Sequence, residues 1–116
     1  MNNEEMVIFT RLELLLDWLV QKTEHFPKRY RHTINQRLLD AAFDHAEWLY
    51  RAQAYHGRKR TDALHEADAA LNRLRFYLRL AFRWRWLSQG QYEHVSRMVA
   101  EQGRLLGGWM RAENKR

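Results

Sequence analysis

Two stretches of the chain collect side chains suited to binding anions. The first is Lys28-Arg29-Tyr30-Arg31, directly after Phe26-Pro27. The second is a run of arginines at spacings of four, Arg75, Arg79 and Arg83, which continues as Arg83-Trp84-Arg85-Trp86. Arginine forks onto phosphate oxygens, and tryptophan or guanidinium planes stack on unpaired bases. Like charges four apart oppose helix formation by roughly 0.2–0.5 kcal/mol per pair. A ridge of three therefore reads as a surface kept for an anion, against the alternative of an ordinary solvated face. Residues with catalytic spacing are not found. A di-metal bundle needs two Glu-x-x-His pairs and two further inward Glu, and Asp62-x-x-His65 is the sole carboxylate-x-x-His here. The six histidines contain no i,i+4 pair, and there is no cysteine for a nucleophile or a thiolate metal site. Asp40 and Asp44 share a face that reads as solvated. No phosphate-cradling glycine loop is present, since Gly107-Gly108 lies inside a helical pattern. The expectation is a protein without enzymatic activity, metal or cofactor.

The net charge of +6 favours polyanionic partners. It is unevenly spread. Residues 58–86 hold eight basic and three acidic groups, whereas residues 1–26 hold two and five. The 116 residues suffice for one domain with one core. One proline and five glycines among 46% hydrophobic residues argue against a β-rich or disordered chain. The absence of cysteine fits a reducing compartment. The acidic start MNNEEM lacks the basic opening of a signal peptide, so a cytoplasmic location is expected. The apolar run from Leu12 to Val20 carries Glu13 and Asp17 and is unsuited to crossing a bilayer.

Four helices must position these groups. The first is expected over about 5–22, with Val7 or Ile8, Leu12, Leu15, Leu16 and Leu19 at helical spacing. Pro27 ends it, and Phe26 plugs the end of a bundle. The second is expected over 33–56, opened by a Thr33/Gln36 capping box and closed by Gly57 in a left-handed conformation. His45 falls in its apolar stripe and reads as a hydrogen-bonded core histidine, while Glu47 and Arg51 are placed to pair. The third is expected over 60–86, capped by Thr61 or Asp62, with Arg58, Lys59 and Arg60 crowding the helix start from outside. Leu64, Ala67, Leu71, Leu74, Leu78 and Ala81 form its core stripe. Phe76, Tyr77, Leu80 and Trp84 fall outside that stripe, as Trp48 and Tyr55 do on the second helix. They suggest a second apolar surface for another subunit. The fourth is expected over 89–111, opened by a Ser88/Gln91 capping box, with Tyr92, Val95, Val99, Gln102, Leu106 and Trp109 inward. Glu93 and Glu101 are near enough to pair with Arg97. Gly103, Gly107 and Gly108 cost a helix interior roughly 1 kcal/mol each, which implies close backbone approach within the bundle or across a subunit contact. Short connections make the neighbours antiparallel, giving an all-α, up-down-up-down four-helix bundle over residues 1–116.

With these elements in order, FPKRYRHTINQRL (26–38) and the segment from Asn72 to Trp109 resemble the accessory variability determinant proteins of diversity-generating retroelements. The resemblance rests on the Phe-Pro-Lys turn, Arg31 and Thr33 with Gln36-Arg37, Leu74-Arg75-Phe76, Leu78-Arg79-Leu80, Leu87-Ser88 with Gln91-Tyr92, and Leu106-Gly107-Gly108-Trp109. Proteins encoded in ribosomal RNA intervening sequences share the Phe-Pro turn and form the alternative, a basic bundle for assembly or general nucleic-acid binding. The retroelement resemblance implies a bacterial or phage-encoded, homo-oligomeric barrel, pentameric in that family. The implied partners are a reverse transcriptase and template RNA, with cDNA besides, and no membrane. It implies no chemistry by the accessory protein itself. Arg31, Arg37, Arg75 and Arg79 match basic family positions and are candidates for polymerase or RNA contact. Lys28, Arg29, Arg83 and Arg85 join them from the loop and the ridge. His32 departs from the family pattern, where an aromatic or apolar residue is usual. The candidate subunit contacts are Trp48, Tyr55, Phe76, Tyr77, Leu80, Trp84, Gly107 and Gly108.

Overall fold

The computed structural model describes residues 3–115, with the side chain of Glu4 excepted. Four helices, α1 (Asn3–Thr23), α2 (Ile34–Ala54), α3 (Gly57–Arg83) and α4 (Gln89–Asn114), are joined by short connections, and a single 3-10 turn, Lys28–Tyr30, precedes α2. The described residues contain no strand. The bundle measures 46 × 25 × 19 Å. The helices neighbour one another in chain order, and α4 returns to close against α1.

The periodic stripes bury as their spacing predicts. Leu64, Ala67, Leu71, Leu74, Leu78 and Ala81 of α3 are all fully buried, as are Leu38, Ala41, Ala42, Leu49 and Ala52 of α2. Small residues line both of these helices, so α2 and α3 approach closely and form the most intimate pair. Of the adjacent pairs, α1 and α2 touch least. The core divides into two parts along the bundle axis. One lies at the loop end, around Leu19, Phe26, Leu38, Leu78 and Leu87. The other lies at the opposite end, around Ile8, Leu49, Leu64, Leu106 and Trp109.

Two buried polar side chains are tied to helix backbones. His45 places Nδ1 2.8 Å from the Ala67 carbonyl oxygen, and Gln102 donates Nε2–H to the Ile8 carbonyl at 3.2 Å. Burial holds the His45 pKa below its ordinary value of 6.5, against the raising effect of the Ala67 hydrogen bond.

α3 differs from its sequence expectation at both ends. It begins at Gly57, which has φ +59°, so Arg58, Lys59 and Arg60 lie inside its first turn rather than before a Thr61 or Asp62 cap. Arg60 is neither exposed nor an anion site. Its guanidinium donates to the carbonyls of Ala52, Gln53 and Tyr55 at 2.8–3.3 Å and pairs with Glu113 at 3.0 Å. A cation at a helix C-terminus meets the negative end of the dipole. The charge that conflicts with the start of α3 is thus absorbed by the end of α2.

At its other end α3 stops at Arg83, and Trp84 to Trp86 form the turn out of it. Trp86 N–H donates to Ala81 O at 2.8 Å and Arg85 N–H to Phe82 O at 3.0 Å, with Arg85 at φ +65°. This 6→1 and 5→2 pair is a Schellman motif carrying arginine at C′, where glycine is usual. α4 opens as predicted: Ser88 accepts from Gln91 N–H, and Gln91 Oε1 accepts from Ser88 N–H. The Thr33 box does not form. The Thr33 hydroxyl turns back to donate to Tyr30 O at 3.3 Å, and Gln36 donates to Asp40 at 2.9 Å. The 3-10 turn ahead of it takes the hydroxyl instead.

Candidate nucleic-acid interface

The two basic stretches, far apart in sequence, meet at one end of the bundle. Phe26 is buried there, as its place before Pro27 predicts. Pro27 O accepts from Tyr30 N–H at 3.1 Å and Lys28 O from Arg31 N–H at 3.1 Å. That tight turn presents Tyr30 toward the α3–α4 connection. Trp86 packs between the two loops, its ring 5.4 Å from Phe26, 5.1 Å from Tyr30 and 5.2 Å from Trp84. The Tyr30 and Trp86 planes lie 27° apart, a stacked pair. Arg29 adds its guanidinium 5.8 Å from the Tyr30 centroid.

Around this row of rings stand Lys28, Arg29 and Arg31 from one loop and Arg83 and Arg85 from the other, all exposed. None of the five forms an ion pair among the described residues. By contrast Arg60, Arg73 and Arg104 are matched with Glu113, Asp44 and Glu101. Of these rings Trp84 is exposed and Tyr30 and Trp86 are half-buried. Unpaired cations around partly open rings give the combination that binds single strands: backbone phosphates on the charges, bases on the aromatic faces. Arg85 is held in a left-handed conformation that costs a residue with a Cβ roughly 1–2 kcal/mol. The two Schellman hydrogen bonds at the end of α3 hold it there.

The arginine ridge does not act as one line. Arg83 joins the end platform, whereas Arg75 and Arg79 line a cleft of about 170 Å³ between α3 and α4, with Tyr92, Ser96 and Val99. Arg75 is half-buried, donates to Asn72 Oδ1 at 2.6 Å and lies across Gly103, where an added Cβ would sit 2.5 Å from its Nη2. Arg37 is exposed on α2. Among the described residues no group of three His, Asp or Glu could hold a metal ion, and no helix is long and apolar enough to cross a membrane.

Comparison with known proteins bears on this arrangement. A model of the bAvd-like family matches residues 6–113. The chain belongs to the bAvd-like family. This bears out the resemblance to accessory variability determinant proteins. The bAvd-like bundle is also similar in structure to a protein of unknown function from the S23 ribosomal protein family of Bacteroides thetaiotaomicron. That similarity has a TM-score of 0.85 at 15% identity and covers 93% of this chain and 98% of the other. At that identity the likeness speaks for the fold alone. No curated protein matches the chain significantly.

The remaining candidate residues of this bAvd-like protein are spread over several surfaces. Phe76 and Trp84 are exposed, by 46% and 40%. Trp48 and Tyr55 are half-buried and pack against one core cluster, Tyr77 against the other, so the bundle itself uses part of each. Leu80 is half-buried. Gly108 lines a groove between α1 and α4 with Val7, Leu105 and Arg111. A Cβ on Gly107 or Gly108 would meet nothing but the guanidinium of Arg111, at 3.3 and 3.9 Å, so backbone approach within one bundle does not explain either glycine. Three expected ion pairs are replaced. Arg51 lies over Trp48 at 4.5 Å rather than pairing with Glu47. Glu101 pairs with Arg104, whose hydrogen bonds hold the Glu101 pKa below its ordinary value, and Glu93 accepts from Gln89. Leu14 and Val7 of α1 are exposed, which periodicity does not reveal, because both fall beside the core stripe of a strongly apolar helix.

Proposed function

We propose that this bAvd-like protein is a non-catalytic accessory protein of a diversity-generating retroelement, working in the cytoplasm. It holds template RNA, and cDNA made from it, on the platform at the loop end, and it docks the reverse transcriptase of the same element. The observation that carries the reading is the meeting of Tyr30, Trp84 and Trp86 with five unpaired cations drawn from two loops. Family membership supports it. The same reading has copies of the chain assembling into a ring, pentameric in the resemblance, which multiplies the charge of +6. Exposed Phe76 and the two glycines that one bundle does not require support such contacts. The basic positions Arg37, Arg75 and Arg79 are then left for polymerase or further RNA contact.

Multi-angle light scattering tests this directly. The purified protein should scatter as about five subunits of 14.2 kDa, and the mass should rise on adding the reverse transcriptase with its template RNA. A stable monomer that ignores both would refute the accessory reading. A second reading, which the net charge of +6 also fits, is a basic bundle of the ribosomal RNA intervening-sequence type with general nucleic-acid binding. RNA binding without any response to the polymerase would select it.

A further inference from the structure

We propose that copies of this chain meet head to tail, with the acidic α1–α2 face of one copy seated in the basic α1–α4 groove of the next. This rests on the assembly reading above and says which two faces carry it.

The α1–α2 face is apolar with acidic flanks. These two helices touch least of the adjacent pairs, so side chains between them stay open. Val20 and Leu39 line one cleft there at the loop end, and Phe9 packs on Tyr50 at 4.4 Å toward the other end. Phe43, four residues after Leu39 and seven before Tyr50, falls on the same side of α2. Phe43 and Tyr50 are 43% and 50% exposed, and Met6 and Val20 are exposed too. The flanks carry Glu13, Asp17, Glu24 and Glu47, all exposed, and none forms an ion pair among the described residues. The basic residues of α1 turn the other way. Arg11 lines a pocket against α4, and Lys22 lies over Trp18, whose ring meets His94 of α4.

The α1–α4 groove has the opposite charge. It holds two pockets of about 390 Å³ each. Leu14 and Met98 line the first with Arg11 and Arg97, and Val7 and Leu105 line the second with Arg104 and Arg111. Glu101 is the one acid of the two linings. Arg97, Arg104 and Arg111 recur every seven residues, and Arg97 and Arg111 form no ion pair among the described residues.

Spacing matches as charge does. Val7 and Leu14 are seven residues apart on α1, as Met98 and Leu105 are on α4, so the pockets repeat at roughly 10.5 Å along the groove. Phe43 and Tyr50 are also seven apart and repeat at the same interval. They are two knobs for two holes. Gly108 lines the second pocket, and a Cβ there would meet only Arg111, at 3.9 Å. Its own bundle has no use for the missing Cβ, whereas an incoming ring does. Opposite charges set the register and reject acid-on-acid or base-on-base pairing, which makes the contact head to tail. The two faces adjoin along α1. Each copy therefore turns in the same sense relative to the last and the chain of copies closes, where opposite faces would run on as a filament.

Light scattering on two single-face variants tests the proposal. Phe43→Lys with Glu47→Lys removes a knob and reverses the acidic flank. Gly108→Leu with Arg97→Ala fills a pocket and strips a cation from the groove. All four positions lie outside the core, and circular dichroism checks that the helices remain. Each variant alone should scatter as a monomer of 14.2 kDa. Mixed in equal amounts they should form a dimer with one copy of each, because the first keeps an intact groove and the second an intact acidic face. Variants that keep the wild-type mass, or a mixture that stays monomeric, would overturn this pairing and leave assembly through other faces standing. A monomeric wild type would overturn the assembly reading and this proposal together.

Discussion

Arg85→Gly should make the protein more stable and a poorer RNA binder. Arg85 occupies the C′ position of α3 at φ +65°, with both Schellman hydrogen bonds in place. A left-handed residue with a Cβ costs roughly 1–2 kcal/mol, and glycine removes that cost. Glycine also loses more backbone entropy on folding, an offset of roughly 0.5–1 kcal/mol. The net gain should be about 0.5–1 kcal/mol, since the Arg85 side chain is exposed and, among the described residues, makes no hydrogen bond or ion pair that would be forfeited. At about 4 °C per kcal/mol for a domain near this size, the melting point should rise by about 2–4 °C. In RNA binding the same change deletes one phosphate contact. The slope of log affinity against log salt should then fall by about 0.7, the single-strand value per phosphate. Arg85→Lys keeps both the strain and the charge and should resemble wild type in both assays. Denaturant titration and anisotropy at several salt concentrations read the two effects on one preparation. A loss of stability in Arg85→Gly would show that the left-handed residue is not strained, and an unchanged salt slope would remove Arg85 from the interface.

Arg60→Met should destabilise the fold by about 2–3 kcal/mol, because it breaks a largely buried pair with Glu113 and strips donors from three carbonyls at the end of α2. A melting point within 2–3 °C of wild type, against an expected drop of roughly 10 °C, would show that the clasp contributes little. His45 gives the fold a pH dependence. Its pKa in the folded state lies below the ordinary 6.5, so the unfolded chain binds the extra proton first, and stability is fully present above 6.5 and falls as pH drops beneath it. His45→Leu should flatten that part of the stability curve, and equal slopes in the two proteins would contradict the assignment. Gly103→Ala should be neutral or stabilising by up to about 1 kcal/mol, because the obstructing atom is the mobile end of Arg75 rather than backbone. A loss above about 1 kcal/mol in denaturant unfolding, the full worth of the glycine penalty, would mean that Arg75 is fixed across α4 for structural reasons.

The parts of the molecule governed by local periodicity were legible in the sequence. The α3 stripe from Leu64 to Ala81, the Phe26 plug, the His45 hydrogen bond and the Ser88 cap follow from spacing and cap chemistry alone. What was not legible depends on contacts distant in sequence or on a residue in an unusual role. Arg60 looked misplaced at a helix start because the carbonyls that welcome it belong to the preceding helix. The end of α3 carries no glycine signal, so the periodic pattern ran on to Trp86, although a Schellman turn with arginine at C′ had already ended the helix. The Thr33 box failed because the 3-10 turn before it supplied a nearer acceptor. The platform followed the same logic. Both basic stretches were visible, but their union rests on the Tyr30–Trp86 stack, and no feature of either stretch announced the other.

The most direct test of the platform is the salt dependence of single-stranded RNA affinity in two variants. One replaces Lys28, Arg29, Arg31, Arg83 and Arg85 with Ala, and the other replaces Arg75 and Arg79. If the loop end holds the strand, the first should bind far more weakly at low salt, and its salt slope should be shallower by about 3.5, near 0.7 for each of the five phosphates no longer neutralised. The second should stay close to wild type. A platform variant that binds like wild type, beside a ridge variant that does not, would move the interface to the α3–α4 cleft and contradict the account.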